Sequence, residues 1–249
     1  MTAETDYNMK SISQNKREAR ESLRGNWAPC VLAMALYIVV TMVCMSPSYM
    51  YQLLHPTFSQ DLAYAAQTNN ITDMIGIYGG MSRMSSIGSL LQILILNAVT
   101  VGFMGAFLKF YREKDTAVSG NMFKMAFKDY GHKILGMFLM GLFIFLWTLL
   151  LIIPGIIKSF SYAMTPYILN EYPNVGVNDS IDISRKMMKG HKLDLFLLEL
   201  SFIGWILLSI LTLGIGLLWL GPYMQTSMSI FYEDVKAEYI EKNGDMAFR

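Results

Sequence analysis

Residues 178–234 read NDSIDISRKMMKGHKLDLFLLELSFIGWILLSILTLGIGLLWLGPYMQTSMSIFYED. A polar, basic segment (179–192) leads into two apolar runs separated only by Leu213-Gly214-Ile215-Gly216. Apolar runs of this length match the roughly 20 residues that a helix needs to cross a bilayer. A basic segment just before them fits a helix lying in the headgroup region. The stretch therefore predicts an interfacial helix feeding a tight transmembrane hairpin. Two similar units lie upstream, so the fold class expected is an all-α polytopic membrane protein. It has six transmembrane helices arranged as three hairpins, each preceded by an amphipathic interfacial helix.

The totals agree. Of 249 residues, 53% are hydrophobic and 16% charged, and the mean hydropathy is +0.36. That is too apolar for an ordinary soluble domain. The net charge of +1 says little, because Lys and Arg cluster between long uncharged runs. Cys30 and Cys44 share one apolar run and stand roughly 21 Å apart at about 1.5 Å per residue, too far for a disulfide with each other. The first apolar run begins only at Trp27, behind a polar head, and reads as a retained anchor rather than a signal peptide.

Taken in order, residues 1–10 are expected to be irregular and 11–24 to form a weakly amphipathic helix (Ile12, Ala19, Leu23) against the inner leaflet. Residues 1–26 make a cytoplasmic head, 27–232 the membrane domain and 233–249 a cytoplasmic tail that continues the last helix. The spans are expected at about 27–45, 86–107, 134–153, 156–169, 195–213 and 215–232. An outer loop fills 46–84, with a short helix near 59–66. Gly102 and Gly105 permit close helix approach. Thr165-Pro166 kinks the fourth span and Gly221-Pro222 bends the sixth. Met122, Phe123, Ala126, Phe127 and Tyr130 fall on one helical face. Asp179 or Ser180 is expected to cap the helix before the fifth span, with Val177, Ile181, Ser184 and Met188 facing the membrane.

Orientation follows from the cations. Eighteen Lys/Arg fall in the head, the connections 109–133 and 171–194 and the tail, against two (Arg83, Lys158) on the other side. The positive-inside rule then puts both termini in the cytoplasm of a multi-pass plasma (inner) membrane protein. Gly131-His132-Lys133 superimposes on Gly190-His191-Lys192 at an offset of about 59, which also lays Gly155 on Gly214. Two further residues bring Tyr162 onto Tyr223 and Thr165 onto Thr226. This reads as an internal repeat of parallel units.

Few residues carry chemistry. Metal spacings, phosphate loops and the HExxH pattern are missing, so no catalytic, cofactor or metal residue is assigned, and nothing in the pattern suggests nucleic acid. Four polar candidates fall inside the predicted spans. Glu199 lies roughly 10 Å beyond Lys192 at about 1.5 Å per residue, and reads either as a proton or cation contact or as a structural partner for another helix. Asn97 ties helices together or binds solute. Lys158, with Tyr162, either snorkels or lines an outward anion pocket. The basic residues Arg17, Arg20, Arg24, Lys124, Lys128, Lys133, Arg185, Lys186, Lys189 and Lys192 are expected to attract anionic inner-leaflet lipids and also to set topology.

Arg24-Gly25-Asn26-Trp27, the run Ser184 to Lys192, Leu200 to Trp205, Leu211 to Gly216, Pro222-Tyr223 and Phe231-Tyr232 together resemble an uncharacterised family of bacterial integral membrane proteins, domain-of-unknown-function family 975. The membrane domain of some glycerophosphodiester phosphodiesterases is more distantly similar. The resemblance implies a bacterial plasma-membrane protein and supplies no activity or catalytic residues. The function expected is a non-enzymatic, lipid-contacting scaffold or regulatory partner, with a membrane-protein partner left unidentified. A small-solute transporter with a polar cavity at Glu199 or Asn97 is the alternative. A lipid-headgroup enzyme drawing on Glu171, Asp194, His132 and His191 is the third reading.

Overall fold

The computed structural model describes residues 9–244 and Phe248, and of residues 45, 46 and 48–52 the backbone alone. Most of the expected irregular head, the side chains of Tyr49 and Tyr51 and the end of the tail lie outside the described residues. The chain forms two compact units, one of residues up to Leu36 together with Ala98 onward, the other Tyr37–Asn97.

Helix α1 (Ile12–Leu23) starts with a capping box in which Ser11 and Gln14 bond each other's backbone, satisfying two of the free N–H groups of the first turn. Its expected leaflet-facing side proves to be a protein contact. Asn15, Ala19, Ser22 and Leu23 are buried against α13 (Leu217–Asn243), and the Asn15 amide donates to the Ser227 carbonyl at 3.1 Å. The periodicity marked a buried face without saying what covers it.

Helix α2 (Trp27–Leu54) outruns the expected first span. The expected 46–84 loop is largely helical in the unit Tyr37–Asn97. After the end of α2 come α3 (Phe58–Gln67) and α4 (Ile71–Leu91). Asn70 caps α4 by accepting from the Asp73 N–H. The glycines at 76 and 79 face open space, and in a helix each costs only about 1 kcal/mol relative to Ala, too little to break it. A π-helical turn (Gln92–Leu96) joins α4 to α5 (Asn97–Glu113).

In the other unit α5 meets α6 (Val118–Phe127) at Gly102, where the α6 backbone passes so close that no side chain would fit. Of the face expected on α6, Met122 and Ala126 are buried there, while Phe127 is exposed and stacks on Tyr130. Helices α7 (Tyr130–Leu150) and α8 (Ile152–Tyr162) form a hairpin. The chain breaks at Ala163-Met164 before α9 (Thr165–Glu171), which carries Pro166 in its first turn. Helix α10 (Val177–Met187) begins at Gly176 without a side-chain cap, so neither Asp179 nor Ser180 holds the expected capping role. Its apolar face packs on α7, α8 and α9 rather than on lipid, and Ser184 Oγ accepts from the Met164 N–H and donates to the Ser161 carbonyl, both at 3.1 Å. Ser184 thereby satisfies backbone groups freed by the break. Helices α11 (Lys192–Leu200) and α12 (Ile203–Leu211) lead to α13.

The described residues include helices and no strand. Among the described residues, four segments are long and apolar enough to cross a membrane: Trp27–Cys44, Ile71–Glu113, Tyr130–Leu150 and Lys192–Leu211. Of the two expected spans without such a segment, the fourth is short, because α8 has 11 residues before the break. The sixth lies in α13, which carries charge from Glu233 onward. Gly155 lies against Thr148 and Gly216 against Ser209, like contacts separated by 61 residues, and the chain between α11 and α12 is interrupted at Ser201-Phe202.

Candidate functional site

One cleft combines charge with apolar walls. Each helix contributes positions spaced three and four apart, which share a face. Helix α1 supplies Ser13, Lys16 and Arg20; α12 supplies Trp205, Leu208, Ser209 and Thr212; α13 supplies Trp219, Leu220 and Tyr223, with Gly216 before it and Trp27 at the rim. The cleft encloses about 620 Å³. Its cationic end is fixed by the α11–α12 break. Lys16 Nζ donates to the Ser201 carbonyl at 3.0 Å and bonds Ser201 Oγ at 3.1 Å, and it lies 4.3 Å from the centre of the Phe202 ring. The Tyr223 hydroxyl donates to the Lys16 carbonyl at 3.2 Å. Burial, and then the Arg20 charge, press Lys16 below the ordinary lysine pKa, so an anion at this end would relieve the pair. The opposite walls are indole and leucine. From Ser201 to Thr212 the cleft runs roughly 16 Å at about 1.5 Å per residue, close to half of a hydrocarbon core of about 30 Å.

A second polar cluster ties α5, α9 and α13 together. Glu171 accepts from Arg112 Nη1 at 2.7 Å, Lys236 Nζ at 2.5 Å and the Tyr232 hydroxyl at 2.6 Å, and Arg112 also bonds Glu233. Tyr232 stacks on Tyr167 at 4.7 Å in the core. This network links the three helices and commits three of the Glu171 carboxylate's roughly four acceptor positions to protein donors. His191 bridges Asp194 (3.3 Å) and Glu238 (3.1 Å). The sequence offers His191 and Asp194 only as two of four candidates for a headgroup enzyme, without pairing them, and Glu238, which lies on α13, is brought beside His191 only by folding. His132 stands apart from that trio, its Nε2 buried with no partner among the described residues. Among the described residues, no group of three or more His, Cys, Asp or Glu could hold a metal.

The remaining candidates scatter. Arg20 lines the cleft, while Arg17, Arg24, Lys124, Lys128, Arg185, Lys186 and Lys189 are exposed and Lys192 is half-buried. Lys133, expected to contact lipid, is 1% exposed; its ammonium donates to the Met125 carbonyl and to Asn170 Oδ1. Lys158, placed by the sequence on the opposite side from Arg185 and Lys192, feels the charge of both and sits 4.4 Å over the Trp147 ring; Tyr162 beside it is buried. Glu199 is exposed on α11 and Asn97 half-buried at the start of α5. Neither lines the cleft.

The family model described as "Protein of unknown function (DUF975)" matches residues 9–159 and 148–239. The chain belongs to this family. Comparison with curated proteins and with solved structures finds no match. The family carries no assigned activity, so the chemistry of the cleft is the guide to function.

Proposed function

We propose that this protein is a non-enzymatic, lipid-contacting scaffold or regulatory partner of the bacterial plasma membrane, with both termini cytoplasmic and the cleft as its lipid site. The observation that carries the reading is the pairing of Lys16 and Arg20 with walls of Trp205, Leu208 and Trp219 over the length of one leaflet. A phosphate headgroup suits the cationic end and an acyl chain the indoles. On this reading α1, α6 and α10 are amphipathic helices at the inner interface, and the last two hairpins are an internal repeat, supported by the matched Gly155–Thr148 and Gly216–Ser209 contacts. The distant likeness to the membrane domain of glycerophosphodiester phosphodiesterases suits the same lipid setting. A transporter would place its polar cavity at Glu199 or Asn97, and the cleft touches neither. A headgroup enzyme would use Glu171 as a free acid, and that carboxylate is held by three donors.

The test is native mass spectrometry of the purified chain with phosphatidylglycerol and phosphatidylcholine. Arg20→Ala removes one headgroup cation, a loss of about 1 kcal/mol, or roughly fivefold in affinity. The loss should be confined to the anionic lipid. Trp205→Ala should weaken both lipids alike. Unchanged retention of both lipids in both variants would rule the cleft out as a lipid site.

A further inference from the structure

The tips of the two hairpins in the larger unit carry no charge, and the threonines that flank them, Thr148 and Thr212, bond backbone carbonyls of their own helices. Leu149 to Ile153 are 64–73% exposed in the α7–α8 turn, and Leu213 is 95% exposed in the α12–α13 turn. Leu213 also adopts φ +55, a left-handed position that Asn or Gly usually fills where a turn meets water. Two backbone N–H groups at each tip find partners within the hairpin. Leu151 N–H donates to the Trp147 carbonyl and Gly155 N–H to the Leu151 carbonyl. In the other turn Gly214 N–H donates to the Ser209 carbonyl and Gly216 N–H to Thr212 Oγ1. Turns in water do not require this, whereas turns in hydrocarbon do.

Charge sets the depth. Ser184 fills the break at Ser161–Met164, and its neighbours Arg185 and Lys186 are exposed. From Ser161 to the tip at Ile152 is roughly 14 Å at about 1.5 Å per residue. Lys16 fills the break at Ser201, beside exposed Arg17, and the tip there is roughly 16 Å away by the same rise. The hydrocarbon core is about 30 Å thick. Tips at the far headgroups would therefore leave these exposed cations near mid-bilayer, too deep to snorkel out. The inner halves of α7 and α11 are occupied elsewhere, with Lys133 and Gly136 buried in α7 and Leu195 and Leu198 in α11.

The geometry points to two re-entrant wedges: the α7–α8 and α12–α13 hairpins enter the leaflet on the side of α1 and α10, end near its midplane and return without crossing. The surface they present fits the acyl chains of one leaflet. Such wedges add cross-section to that leaflet alone, which makes the protein responsive to curvature and lateral pressure. A hairpin returns to its starting side whether or not it crosses, so the placement of the termini is unaffected; the α12–α13 wedge also walls the cleft, but its depth does not depend on the cleft holding lipid.

The test uses the full chain in vesicles, with Cys30 and Cys44 replaced by serine and single spin labels at Leu151→Cys and Leu213→Cys. Oxygen and nickel-chelate accessibility should place both labels at the bilayer centre, and a charged maleimide should reach neither position from either side. Reaction from the side opposite to that reached at Lys242→Cys would overturn the proposal. Should a tip variant fail to fold, labels at Ile156→Cys and Leu208→Cys decide, read against neighbours along each limb. A wedge is deepest at its tip and grows shallower down both limbs, whereas a crossing hairpin is deepest in the middle of each limb.

Discussion

Glu171→Ala will destabilise the detergent-solubilised chain by about 3 kcal/mol, the lower end of the range for breaking a buried ion pair from one side, because Glu171 and Arg112 keep 19% and 32% of their side chains exposed. The substitution leaves Arg112 and Lys236 facing each other without the carboxylate that both now bond, and it removes the acceptor of the Tyr232 hydroxyl in the core. The same carboxylate sets an acid limit. Burial pushes the Glu171 pKa up, but the bonds from Arg112, Lys236 and Tyr232 outweigh it and hold the group below the ordinary 4.5. A carboxylate depressed in the folded state contributes its full stability above the unfolded value and loses it as pH falls through the lower native value. Thermal unfolding of the parent should therefore show a loss below about pH 4.5 that is diminished in Glu171→Ala. Combining it with Arg112→Ala should cost less than the sum of the two single changes, because they share one network. Strict additivity, or an unaltered acid limb, would show that the network does not hold the bundle.

Gly102→Ala will have the second largest effect, and the same substitution at Gly120 will have the opposite sign. A Cβ at Gly102 would stand 2.2 Å from the Met122 carbonyl oxygen and 2.6 Å from the Ala126 nitrogen. Both are backbone atoms of α6, so no rotamer change makes room and the whole helix must lift from α5. Overpacking of this kind costs about 1–3 kcal/mol, occasionally more, and the upper end is expected here. Gly120 lies within α6 with nothing near its Cβ position, so alanine there should gain up to about 1 kcal/mol of helix propensity. Paired melting curves of the two variants decide it; a tolerated Gly102→Ala would mean that α6 does not pack on α5 as described. Gly105 would be intermediate, because its neighbour is the Asn170 side chain, which can move, though it would then release Lys133.

The sequence by itself determined that the protein is helical and carries apolar runs long enough to cross a membrane, because helical periodicity, charge-free runs and glycine or proline breaks act over a few residues. It placed the close-packing glycines of α5 and the kink before Pro166 for the same reason. It took 46–84 for a loop with a short helix near 59–66; α3 answers to that helix, but α2 and α4 carry helix through most of the rest. It also listed Lys133 and Lys158 by their position in the chain, and the folded molecule turns the first into the protein and carries the second toward Arg185. Only the tertiary structure decided which face each short helix buries, that Lys16 and Ser184 fill breaks about 185 and 20 residues from them in sequence, and that Arg20 shares a cleft with Trp205 and Trp219. Hydrophobic periodicity records that a face is buried, whereas the partner is chosen by packing and hydrogen bonding between segments far apart in the chain.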